Sequence, residues 1–182
     1  MTRSSDLTVQ RLYEAAASTA PTPGAGSVTA LTGMLGVSLM MKALRITQSH
    51  GTTAALDGRE GPLEALAQAM AADADADIAA FDAFIQAAKL PHVEEAETAE
   101  RTRRMHAAVA AGEAALLSLE HAATAISLAS EMEESIAAVV MADLHAGRRL
   151  AETTRLNAIE NAALVAPPAP TAPPEEPRRR TI

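Results

Sequence analysis

The chain has 182 residues, 48% of them hydrophobic but only 2% aromatic, and it has no cysteine, which excludes disulfide and thiol chemistry. Its formal net charge of -8 sets up a field that repels a phosphate backbone, so nucleic acid is not the expected partner. A core without aromatics must be built from Ala, Leu, Val, Ile and Met. Alanine loses no side-chain entropy in a helix, and this points to an all-α fold.

Ser4, Ser5 or Asp6 can cap a first helix that runs to about residue 18, with Val9, Leu12, Tyr13 and Ala16 recurring at helical spacing. Residues 20–27, Ala-Pro-Thr-Pro-Gly-Ala-Gly-Ser, hold two prolines and two glycines and form a turn. A second helix is predicted over 27–47, apolar almost all round, as a central helix of a bundle is. Its apolar run, residues 24–41, contains Ser27, Thr29 and Thr32 and is broken beyond by Lys42 and Arg45. A membrane span wants about 20 predominantly apolar residues. The run therefore reads as a buried helix, and residues 1–12 are too polar for a secretory leader. The expectation is a soluble cytoplasmic protein with no membrane contact.

A polar loop over 48–61 leads to Pro62, placed at the first position of a third helix that Pro91 stops near residue 90. The apolar stripe of that helix is Leu63, Leu66, Met70, Ala74, Ile78, Phe81, Ile85 and Ala88. A fourth helix spans about 95–132, with Gly112 as a site for a bend, and a fifth about 133–164. Residues 166–177 are rich in proline, and Arg178, Arg179 and Arg180 follow, the composition of an extended tail. The expected organisation is one helical domain over 1–165, an antiparallel bundle of about five helices, and a Pro-rich tail over 166–182.

Two places can carry chemistry. The first is the turn at Gly24, Ala25, Gly26 and Ser27, where a helix N-terminus offers unpaired N–H groups that bind an anion or a carbonyl oxygen. The plainer alternative is a tight turn with Ser27 as N-cap, which the local pattern by itself favours. The second is Asp77, seven residues after Met70 and four before Phe81, hence on the apolar stripe of the third helix. A carboxylate buried there needs a partner or a raised pKa and suits acid–base work or stabilisation of a cation. Equally, it can sit at the stripe edge and reach water. Asp73 and Asp75 read as solvated acids.

The fifth helix places Asp143 and Asn161 on its apolar face with Ile136, Val140, Gly147, Leu150 and Ala158, and Glu152 on a flank. Asp143 and Asn161 are 18 positions apart, about 27 Å along a helix, so they cannot touch one small ligand within one chain. The five histidines show no close metal-binding spacing, and no metal site is expected. Arg101, Arg103 and Arg104 read as a solvated helix face.

These residues, in this order, resemble the cyclodeaminase and methenyltetrahydrofolate cyclohydrolase family, which includes the cyclodeaminase half of formiminotransferase-cyclodeaminase. Residues 20–31 are similar to its Pro-x-Pro-Gly-Gly-Gly-Ser opening and apolar helix, and 9–18 to the helix before it. Asp77 to Phe81, continuing through Lys89, Leu90 and Pro91, resembles an Asp-x-x-Ala-aromatic run that ends in Lys-Leu-Pro. Ala142-Asp143, Ala151-Glu152 and Asn161 follow the spacing of a Ser-Asp, Ala-Glu and Asn pattern.

The resemblance implies a helical homodimer that acts on a tetrahydrofolate derivative. It would either hydrolyse the methenyl bridge or close a formimino group onto its neighbouring nitrogen with release of ammonia. Folate would be the substrate, with no resident cofactor. Asp77 and Asp143 are the implied catalytic residues. Gly24, Ala25, Gly26, Ser27, Arg45, Lys89 and Asn161 are the implied substrate contacts, with Lys42 as a further cation for an anionic tail.

The chain also departs from the family pattern. Ala25 replaces the middle glycine, residues 48–53 (Gln-Ser-His-Gly-Thr-Thr) stand where a lysine-rich run is usual, and Ala162 follows Asn161 in place of arginine. These differences keep two other readings open: an enzyme of the same fold acting on another cyclic amidine or imine, and a non-catalytic helical interaction protein.

Overall fold

The computed structural model describes residues 3–51, 54–88 and 97–165. Among them the only regular elements are helical. There are five α-helices: α1 (Val9–Ala16), α2 (Ala25–Ser49), α3 (Glu60–Ala88), α4 (Glu97–Met132) and α5 (Met141–Val165). The predicted tail over 166–182 and the end of the third helix at Lys89 and Leu90 lie outside the described residues.

The four long helices form a ring. α2 packs on α3 and α5, α4 packs on the same two, and α2 and α4 face each other across the diagonal. Paired residues show that neighbours run antiparallel. Arg45 and Gly26 on α2 meet Glu60 and Asp77 near opposite ends of α3. Arg59 beside α3 meets Glu131 late on α4, while Asp73 meets His121. Lys42 late on α2 meets Asp143 early on α5, while Thr29 meets Asn157. The result is an up-down-up-down bundle.

The two ends of the bundle are packed differently. The largest fully buried side chains, among them Met40, Leu44, Leu63, Met70, Met132 and Leu144, gather in the half holding the C-terminus of α2. Buried positions in the other half are mostly alanines: Ala30, Ala74, Ala80, Ala114, Ala115 and Ala158. Small side chains leave space between helices that large ones would fill, and the candidate site lies at this end.

α2 is long and apolar enough to span a membrane by length and composition, yet ten of its residues are buried inside the bundle. Its central place agrees with the sequence reading.

Several predicted boundaries shift. The first helix starts at Val9 with Thr8 as its cap, whose side chain accepts from Arg11 N–H, and a separate 3-10 turn covers Ser4–Asp6. Only Leu12 of the expected stripe packs inward, because α1 lies on the rim of the bundle; Val9 and Tyr13 are exposed. α3 begins at Glu60, so Pro62 is its third residue. Its missing N–H is still one of the four that a helix start leaves unpaired, so proline costs no bond there.

The fifth helix starts at Met141, eight residues later than expected. Ile136 and Ala137 adopt extended backbone between two 3-10 turns. This extended piece buries Ile136, and the Ala137 N–H donates to Thr47 Oγ1 at 3.0 Å, a bond from α2 that replaces a helical one.

Candidate active site

The turn over residues 20–24 ends with Gly24 as the N-cap of α2, so Ser27 is the third residue of the helix. Ser27 is not the cap the tight-turn alternative proposed. Gly24 has no side chain to satisfy the first N–H groups of α2, and a carboxylate from another helix takes that role. Asp77 of α3 accepts from the backbone N–H and the hydroxyl of Ser27. That hydroxyl has one proton to share, because it also lies 3.1 Å from the Gly24 carbonyl. Ser27 is fully buried beneath the carboxylate.

Asp77 can come this close only because residue 26 is glycine. A Cβ on Gly26 would lie 2.6 Å from Asp77 Cγ and 2.8 Å from Asn161 Nδ2. The two polar side chains therefore converge over the bare Cα of Gly26. Gly24 is different: a Cβ there would meet only the Pro21 carbonyl oxygen, at an ordinary 3.6 Å. Ala25 is exposed and lines the pocket without crowding Asp77. Of the three positions matching the family's glycines, the last is the one at which a methyl group collides with the site.

Two influences act on the Asp77 carboxyl. Burial disfavours its charged form and pushes the pKa up; the two Ser27 bonds pull it down. Burial is the larger, so the pKa stands above the usual carboxylate range. A proton acceptor raised toward neutrality is suited to acid–base chemistry.

In front of this carboxylate lies a pocket of about 180 Å³. The turn supplies one wall through Pro21, Thr22 and residues 24–26. Phe81, one turn after Asp77 on α3, makes an apolar wall with Ala111 of α4 and Leu164 of α5. Asn161 supplies the second polar side group from the helices. Thr22 is fixed by donating to Asp82 Oδ1 at 2.9 Å. Asp77 is the one ionisable residue among the described residues that line the pocket.

Asn161 is itself held in place. Its Nδ2 donates to Asn157 Oδ1 at 3.2 Å, and that oxygen also lies 3.0 Å from Thr29 Oγ1, whose one proton is shared with the Ala25 carbonyl at 2.8 Å. A chain of polar groups thus ties the end of α5 to the start of α2.

The structure brings together Gly24, Ala25, Gly26, Ser27, Asp77 and Asn161 from the sequence candidates, and leaves others elsewhere. Asp143 lies in the first turn of α5 and pairs with Lys42 at 3.0 Å. It is about 27 Å along the helix from Asn161, so within one chain it does not reach the pocket. Arg45 Nε donates to Glu60 at 2.6 Å at that same distant end. Gln48 and Ser49, the first of the residues replacing the family's lysine run, end α2 at that distant end as well, and Lys89 lies outside the described residues. Glu152 faces Arg148 at 3.1 Å.

Asp73 and Asp75 are not simple solvated acids. Asp73 is buried and lies 2.8 Å from His121 Nδ1, and Asp75 accepts from both the N–H and the hydroxyl of Ser4. Phe81 and Thr22 also line the pocket, beyond the sequence candidates. Phe81 was legible from its four-residue offset from Asp77, whereas nothing local marks Thr22, Asn157 or Ala111.

A family model described as formiminotransferase-cyclodeaminase matches residues 8–164. Comparison with individual curated proteins gives no match.

Proposed function

The chain belongs to the formiminotransferase-cyclodeaminase family, and on that premise we propose that it is a cytoplasmic, homodimeric enzyme of folate one-carbon chemistry. It would hydrolyse 5,10-methenyltetrahydrofolate or cyclise formiminotetrahydrofolate with loss of ammonia. The observation that carries this reading is the half-buried Asp77 carboxylate, the single ionisable group in an apolar pocket among the described residues.

The reacting centre of the methenyl substrate is a cationic N–CH–N unit. An anion in a low-dielectric pocket stabilises such a cation more strongly than water would. In hydrolysis, water adds to the bridging carbon and gives up a proton; Asp77, with its pKa raised, is placed to accept it. The carbon–nitrogen bond to N5 then breaks, and N5 takes a proton as its lone pair is freed. Asp77 can return the same proton to N5, while the hydroxyl proton of the adduct leaves to solvent as the formyl C=O forms; that release balances the loss of the substrate's positive charge, and the Asp77 charge is restored over one turnover. Phe81 and Leu164 cover the flat ring system. Asn161 and the first N–H groups of α2 offer hydrogen bonds to the ring edge.

A specific feature favours a second reading, an enzyme of the same fold that opens another cyclic amidine or imine. No lysine or arginine lines the pocket among the described residues, so an anionic glutamate tail finds no cation there.

The test is the decay of methenyl absorbance with wild-type protein and with Asp77→Asn. Wild type should accelerate the decay, and the variant should lose about 10²–10⁴-fold in kcat. No acceleration by wild type moves the assignment to the second reading. Equal rates for the two proteins remove Asp77 from catalysis.

A further inference from the structure

Beside Asp77, between α2, α4 and α5, is a small, partly open chamber of about 10 Å³. That is about the room one water molecule needs. Gly26, Asp77 and Asn161 form the partition between chamber and pocket, since they line both. The remaining walls include Ser118 of α4 and Thr154 and Asn157 of α5. A space this small with so many polar walls is not a packing defect between apolar chains, which would stay dry.

The hydrogen-bond inventory of the walls is incomplete in a particular way. Asn157 Oδ1 already accepts from Asn161 and lies within reach of the shared Thr29 proton, but its NH2 group has no protein acceptor among the described residues. The Ser118 hydroxyl has no protein partner among them either. Thr154 spends its one proton on the carbonyl of Thr29, at 2.7 Å, or of Leu150. An ionised Asp77 has lone pairs beyond those that Ser27 uses. One donor, one hydroxyl and one acceptor thus surround a space fit for one molecule that can both donate and accept.

We propose that this chamber is a binding site for a single water molecule, which accepts from Asn157, exchanges a bond with Ser118 and donates to the Asp77 carboxylate. Three bonds are what a buried water ordinarily makes. The water is a positioning group: it touches Asp77 and not the substrate. Its donated bond favours the charged carboxylate, the form that accepts a proton from the attacking water. The site stands on the geometry alone, while its effect on turnover rests on the folate reading above.

Asp77 is the sole ionisable residue lining either space among the described residues. Around it, α2 carries no ionisable residue from Ala25 to Met41. On α3 the neighbours are Asp73, paired with His121 of α4, and Asp82, bonded to Thr22. Glu113 on α4 and Glu160 on α5 are exposed.

The experiment combines a crystal structure of the full chain, at a resolution that shows ordered water, with two substitutions. Wild type should show a water peak within hydrogen-bond reach of Ser118, Asn157 and Asp77; a chamber without that peak overturns the proposal. Ser118→Val fills the space and removes the hydroxyl, whereas Ser118→Ala keeps the room and two of the three partners. With Val the peak should vanish and the acidic limb of the kcat/KM profile should move up by about one pH unit, a tenfold loss at its low end. With Ala the peak should stay and the limb should move less. Melting curves check that both variants fold. An unshifted limb after loss of the water overturns its positioning role. If wild type turns over no folate, the functional reading fails, and the water peak still decides the site.

Discussion

The Asp77 carboxylate is held between desolvation, which favours its protonated form, and the Ser27 N–H, which favours its charged form. Burial wins, so the folded protein holds the Asp77 proton more tightly than the unfolded chain does. The stability this gives is present below the unfolded pKa and is lost as pH rises through the higher folded pKa. Asp77→Asn cannot ionise, so it should melt above wild type at pH 8, and the gap should close as pH falls into the ordinary carboxylate range. Thermal melts across that range check the sign; a variant that loses stability relative to wild type as pH rises would contradict it. The place of Asp77 on the apolar stripe was legible from its spacing to Met70 and Phe81, while its burial was decided only by packing. Its bond to Ser27 was not legible, because no local pattern links two residues 50 positions apart. The role of Gly26 was half legible: the motif marked the turn as a place for chemistry, and the structure shows that Asp77 and Asn161 approach the backbone there.

Between elements, α2 and α5 cross in close contact at Gly36 and Gly147. A Cβ on Gly36 would lie 2.7 Å from the Gly147 carbonyl oxygen, and one on Gly147 would overlap the Gly36 carbonyl oxygen. Backbone faces backbone, so no rotamer change relieves the collision and the helices must separate. Gly147→Ala should therefore destabilise the fold by about 1–3 kcal/mol, as overpacking does, even though alanine is the better helix former. Denaturant unfolding measures it, and an unchanged midpoint would show that the helices do not touch there. The apolar face of the fifth helix was read correctly at Gly147 and Ala158, both buried. The late start of α5 escaped the sequence because it depends on Thr47, which is far away along the chain. Apolar spacing in α1 misled for the opposite reason: the pattern is amphipathic, but the bundle supplies a neighbour only for Leu12.

Across the molecule, one end of the bundle is filled by Leu and Met side chains and the other by alanines that leave the pocket open. The filled end also carries the ion pairs Lys42–Asp143 and Arg45–Glu60, exposed contacts worth about 0–1 kcal/mol each. Apolar side chains remain exposed on α4, at Val109 and Leu116, and on α5, at Leu156 and Ile159. The proposed homodimer would give such residues a contact to cover. Sedimentation velocity at micromolar concentration should give a dimer, and a monomer alone would count against it.

The helical class, the four long helices and the places of Asp77 and Asn161 on apolar helix stripes follow from the sequence, because alanine content and 3.6-residue spacing act within a few turns of chain. Which end of a helix those residues occupy relative to others was decided only by packing. Asp143 and Asn161 share a face of α5, yet one pairs with Lys42 and the other meets Asp77 across Gly26. Periodicity reports direction around a helix axis; it does not report what lies opposite. The partner is set by antiparallel contacts among α2, α3, α4 and α5, and at the site these join residues far apart in the chain, such as Gly26 with Asp77 and Thr29 with Asn157.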